Sequence, residues 1–178
     1  MHAHAAFYSK GKNMFADDND PFGLSQTARY FIGGILDHSR GMAAIANPTL
    51  NSYKRLIPHY EAPIYLAWAP HNRSSLIRIP AKKNVDVEIR NADPAANPYL
   101  FFAALIHAGL DGIKKKITYE PITVLGQNYL INTFRILTSP SVSLTTRMWI
   151  SASYSWRKFV IFLRSCVLMM SMPRMILR

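Results

Sequence analysis

The sequence predicts an α+β fold in which antiparallel strands pack against two long helices, and three observations carry that expectation. Apolar residues recur at helical spacing from about Ser25 to Ala46, and a second, almost wholly apolar segment starts near Ala95 or Pro98 and runs to Ile117. Three short strand candidates lie between them. A chain of 178 residues has room for one ordinary domain, and the single Cys166 excludes an internal disulfide, which suits a reducing cytoplasm.

Each element has a local reason. The opening MHAHAAFYSKGKN has no basic region followed by an apolar run, so no signal peptide is expected. Ser25 starts a segment in which Ile32, Ile35, Leu36, Met42 and Ile45 fall on one helical face, and Asn47-Pro48 stops it. The stretch NPTLNSYKRLIPHYEAP, 47 to 63, crowds polar groups between Pro48, Pro58 and Pro63, and neither a helix nor a strand period fits it. Strands are expected at 64 to 69 (IYLAWA), 75 to 80 (SLIRIP) and 85 to 90 (VDVEIR). The second helix is apolar on most faces, which implies burial, and it closes on Lys114, Lys115 and Lys116, which suit a helix C-terminus.

The strand VDVEIR is the most informative. Alternation sends Val85, Val87 and Ile89 to one face and Asp86, Glu88 and Arg90 to the other. Taken alone, the charged face belongs in solvent. SLIRIP has the same shape, with Arg78 flanked by Ile77 and Ile79, and two neighbouring strands that offer arginine to one side make a surface for phosphate or carboxylate.

Charge and composition shift near residue 117. Residues 1 to 117 hold nine of the ten acids and carry a net +5, whereas the last 61 positions have Glu120 as their one acid and carry +6. The total of +11 suggests nucleic acid or an anionic surface, but its concentration in the tail points to weak, non-specific binding by phosphate neutralisation. FVIFLRSCVLMMSM, 159 to 172, is short and interrupted by Arg164, so no membrane span is expected there. Two units follow: 1–117, and a basic tail 118–178 of unrelated or frame-shifted character.

The run from NPTLNSYKRLIPHYEAP through HNRSSLIRIP to VEIRNADPAANPYLFFAALIHAGLDGIKKKI, with the opening MHAHAAF, resembles the C-terminal part of the catalytic domain of glutamine synthetases of the bacterial and archaeal type. The resemblance covers about residues 1 to 117. It implies a cytoplasmic ligase that moves the γ-phosphoryl group of ATP onto the glutamate side chain, after which ammonia displaces phosphate. It implies Mg²⁺ or Mn²⁺ as cofactor, with glutamate, ammonia and ATP as substrates and a dodecameric homo-oligomer as the intact enzyme. By position, Arg55 and Arg90 would bind glutamate, and Glu61 would close a flap over the ammonium position. Arg73 and Arg78 would contact phosphate, Arg73 also the substrate. Lys83 and His4 would contact the nucleotide, and His2 and Glu88 would be ligands of one metal ion.

The departures from the family are equally specific. Ala6 stands where the family has Ser, His59 where it has Gly, and His71 and Asp86 where arginines are common, so positive charge is lost on the nucleotide side. The N-terminal β-grasp domain and the acidic ligands of the other metal sites have no counterpart in this sequence. Three functions follow as expectations: a synthetase fragment inactive alone, one half of a split synthetase, or a basic module for nucleic acid or anionic lipid.

Overall fold

The computed structural model describes residues 1–56, 62–81 and 84–122. Strands β1 (Ala3–Ala5), β2 (Tyr8–Ser9) and β3 (Lys12–Asn13) precede helix α1 (Gln26–Ala46) and the short α2 (Leu50–Lys54). Then come β4 (Tyr65–Pro70), β5 (Ser75–Ile79), β6 (Val87–Ile89) and α3 (Pro98–Lys115). The expected basic tail lies, beyond Ile122, outside the described residues.

The two long helices have the expected limits, with side-chain caps that set their starts. Ser25 accepts from the Ala28 amide at the head of α1, and Asn97 accepts from the amides of Tyr99 and Leu100 while Pro98 needs no partner at the first helical position. At the tail of α3, Lys116 takes a left-handed conformation (φ 56) and the Ile117 amide returns to the Gly112 carbonyl. The chain then runs back to the sheet, where the Ile122 amide reaches the Trp68 carbonyl and the Trp68 indole donates to the Tyr119 carbonyl.

Helix α2 corrects the expectation of an irregular stretch after Asn47. Pro48 blocks only the residues before it, and Thr49 caps a new turn by accepting from the Ser52 amide while the Ser52 hydroxyl accepts from Thr49, a reciprocal capping box.

The main sheet has the order β1-β6-β5-β4. β1 pairs antiparallel with β6 (His4 opposite Glu88), and β5 antiparallel with β6 (Arg78 opposite Glu88). β4 runs parallel to β5, with Ala69 opposite Arg78, although only residues 71 to 74 join them. His71, at φ 57, makes the reversal, and its amide donates to the Ile79 carbonyl.

One face of this sheet and helices α1 and α3 enclose the core. Val87, Ile89, Ile77 and Trp68 are buried there with Phe31, Ile32, Ile35, Phe101 and Leu105. Phe7, Phe15 and Phe31 form a ring cluster with centroids 5.0 to 5.2 Å apart, within the range of favourable aromatic pairs. The helices cross at glycines: a Cβ on Gly34 would lie 2.1 Å from the Ala108 carbonyl oxygen, and one on Gly112 would lie 2.3 Å from that of Tyr30. This close approach fixes α3 against α1, and with it the side of the sheet left for the charged residues.

Candidate functional site

Strand alternation assembles the site. On β6, Val87 and Ile89 point into the core, so Glu88 and the flanking Asp86 and Arg90 must emerge on the opposite face. The same alternation on β1 places His2 and His4 there, and the β5 register puts Arg78 directly across from Glu88. Six polar side chains from three adjacent strands therefore share one face.

That face is dry only at its centre, since the His2 and His4 side chains at its edge are 47% and 43% exposed. Glu88 and Arg90 are each only 2% exposed, which corrects the expectation of a wetted charged surface. A carboxylate so deeply placed stays ionised only if paired, and three cationic or hydrogen-bonding nitrogens surround it. Arg78 Nε lies 2.6 Å from Glu88 Oε2, while His2 Nδ1 at 3.2 Å and Arg90 Nε at 3.4 Å flank Oε1. The two arginine contacts are ion pairs without aligned N–H hydrogen bonds, so their attraction is Coulombic. Arg90 is anchored further by donation from Nη1 to the Arg73 carbonyl.

Burial, with the Arg90 guanidinium close by, holds His2 below the ordinary histidine pKa against the pull of Glu88. Its imidazole is thus biased toward the neutral form. His4 Nδ1 sits 3.0 Å from Asp86 Oδ2, a second histidine–carboxylate pair beside the first.

The expected site residues separate into groups. His2, Arg78, Glu88 and Arg90 meet around one carboxylate. Arg73 joins them through its backbone, and its side chain is exposed. Arg55 is engaged elsewhere: its guanidinium donates 2.9 Å to Asn47 Oδ1 and to the Asn91 carbonyl, and its Nε lies 3.4 Å from Asp93 Oδ2. Beside it Ser39, Asn47, Tyr53 and Asn91 line a cavity of about 40 Å³. Glu61 and Lys83 lie outside the described residues.

Sequence reasoning missed two partnerships. The His4–Asp86 pair was legible in principle, because HAHA alternates as a strand and DVE alternates beside it. Arg55 with Asn91 and Asp93 left no local signal, since 36 or more residues separate the partners.

The metal expectation meets a different arrangement. Mg²⁺ asks for about six oxygen-rich ligands, whereas His2 and Glu88 offer two side chains and both Glu88 oxygens already face cationic nitrogens. Among the described residues no three His, Cys, Asp or Glu side chains gather to hold an ion. The described residues alone do not fit the expected Mg²⁺ or Mn²⁺ site.

Residues 1–129 match the family model described as the glutamine synthetase catalytic domain, which is most of the chain. The chain belongs to the glutamine synthetase family. A glutamine synthetase from Thermotoga maritima is 52% identical over 130 residues, covering 72% of this chain and 29% of the relative. One from Methanosarcina mazei is 54% identical over 119 residues, covering 66% of this chain and 27% of the relative. Among solved structures, the cryo-EM structure of Plasmodium falciparum glutamine synthetase is similar with a TM-score of 0.61 at 37% identity, over 68% of this chain and 24% of that one. The chain thus spans under a third of the length of the glutamine synthetases it matches, and the match continues past Ile117 into the segment where composition changes. Among the described residues no helix is long and apolar enough to cross a membrane.

Proposed function

We propose that this chain supplies the arginine- and histidine-bearing face of a glutamine synthetase site, and that it does not turn over substrate by itself. The convergence of His2, Arg78 and Arg90 on the buried Glu88 supports this reading most directly. In the ligase reaction the glutamate side-chain carboxylate attacks the γ-phosphorus of ATP, ADP leaves, and ammonia then displaces phosphate from the acyl phosphate. Both steps gather negative charge. Fixed guanidinium groups in a dry site stabilise that charge best, because they need not reorganise as it develops. Arg78 and Arg73 would face transferring phosphate, Arg90 and Arg55 glutamate, and Glu61 the ammonium side. His4 and Lys83 would contact the nucleotide.

Two observations support inactivity alone. The described residues do not complete a metal site, and Asp86 adds a negative charge where polyphosphate would approach His4. A second reading is one half of a split synthetase, in which a partner chain would carry the acidic metal ligands that do not gather among the described residues. Both readings place the protein in the cytoplasm; the intact family enzyme would be a homo-oligomer, whereas the split reading calls for a separate partner chain. Phosphate release from ATP with glutamate, ammonia and Mg²⁺ is expected to stay at the level of an Arg78→Ala control. Turnover well above that control would refute inactivity alone.

A further inference from the structure

We infer that in this chain Glu88 is the buried counter-ion that positions Arg78 and Arg90, and that these arginines occupy the carboxylate in place of a divalent cation. The inference rests on geometry and not on the proposed reaction. Each Glu88 oxygen has an arginine nitrogen beside it: Arg78 Nε at 2.6 Å from Oε2 and Arg90 Nε at 3.4 Å from Oε1. His2 Nδ1 shares Oε1 at 3.2 Å, and neither His4, directly opposite Glu88 in the register, nor Asp86 turns toward a common centre with it, because they pair with each other at 3.0 Å. The charged groups that would surround an ion are thus already engaged in two separate sets of charge pairs, Glu88 with its arginines and His2, and Asp86 with His4.

A cation approaching Glu88 would have to displace Arg78, leaving a guanidinium only 22% exposed without its counter-charge, or sit against two positive groups at short range. Either alternative is unfavourable in a poorly hydrated place. The pairing also explains why a charged strand is tolerated inside the sheet. β1, β6 and β5 are joined on one face by apolar packing and on the other by Glu88, which touches side chains from all three. Glu88 is therefore a positioning residue: it sets the direction of Arg78 and Arg90 through charge.

Two measurements on the full chain test this. Thermal melts with millimolar Mn²⁺ or with EDTA should coincide, and the Mn²⁺ electron paramagnetic resonance signal should remain that of the free ion. Glu88→Gln should lower Tm by on the order of 10 °C whatever the metal content, because it strands the buried Arg90 and the part-buried Arg78 without a counter-charge. The double variant Arg78→Met with Glu88→Gln should recover more than half of that loss, since an apolar side chain no longer needs a counter-ion. If Glu88→Gln yields no folded protein, the parent melts and the parent Mn²⁺ signal still decide, because the inference requires both to be unchanged by the metal. A rise in Tm with Mn²⁺ in the parent that His2→Ala abolishes would overturn the inference, as would a double variant no more stable than Glu88→Gln.

Discussion

Gly34→Ala is expected to remove a large share of the stability of the fold. The new methyl would sit 2.1 Å from the Ala108 carbonyl oxygen and 2.7 Å from the Gly112 Cα and amide nitrogen, closer than any real Cβ contact. These are backbone atoms of a helix, so no rotamer change clears them, and α3 must move away from α1 along its length. Separation would open the core cluster that Phe31 and Ile35 share with Phe101 and Leu105. Overpacking a core costs about 1–3 kcal/mol where side chains can adjust, and a backbone clash at a helix crossing belongs at or above the top of that range. Against a total near 5–15 kcal/mol, the variant should melt at a much lower temperature or populate an expanded state. Gly11→Ala is the control: nothing lies within 4 Å of its Cβ, and only the φ of 79 opposes the change. Denaturant midpoints for the two variants check the difference, and equal losses would contradict the crossing described here.

Arg90→Ala is expected to cost about 3–5 kcal/mol, the range for breaking a buried charge pair by removing one partner. The side chain is 2% exposed, flanks Glu88 at 3.4 Å and donates to the Arg73 carbonyl, so its loss leaves a buried carboxylate less compensated and removes a hydrogen bond to the backbone. Arg90→Lys keeps the charge but cannot span both partners, and it should retain part of the stability. Urea unfolding of the two variants separates charge from geometry. If Lys is as damaging as Ala, the planar fork matters more than the charge; if Ala is harmless, the residue is not the buried anchor that the structure displays.

The sequence announced the helices clearly because their signals are local. Ser25 before an apolar period and Pro98 at a first turn are caps and period together, and both helices begin where those signals place them. Helix α2 was hidden because three prolines suggest an irregular stretch, while the capping box of Thr49 and Ser52 lies between them. The alternation of VDVEIR identified the face on which Glu88 and Arg90 lie. It could not tell whether that face is wet, because burial depends on what β1 and β5 bring beside it, and those are separate segments of the chain. The parallel pairing of β4 with β5 was illegible for a similar reason, since a four-residue connection ordinarily signals a hairpin. Arg55 shows the limit for sites: its place in a family motif fixed its identity, but its present partners, Asn47, Asn91 and Asp93, come from the tertiary fold.

Nuclear magnetic resonance of the arginine side chains tests the central claim, a buried and ion-paired polar face on β6, most directly. In ¹⁵N-labelled full-length chain, the Nε–H signals of Arg78 and Arg90 should exchange slowly with water and shift on Glu88→Gln, whereas the exposed Arg73 should exchange rapidly and not shift. Rapid exchange at Arg78 and Arg90, equal to that of Arg73 and indifferent to Glu88→Gln, would contradict the account.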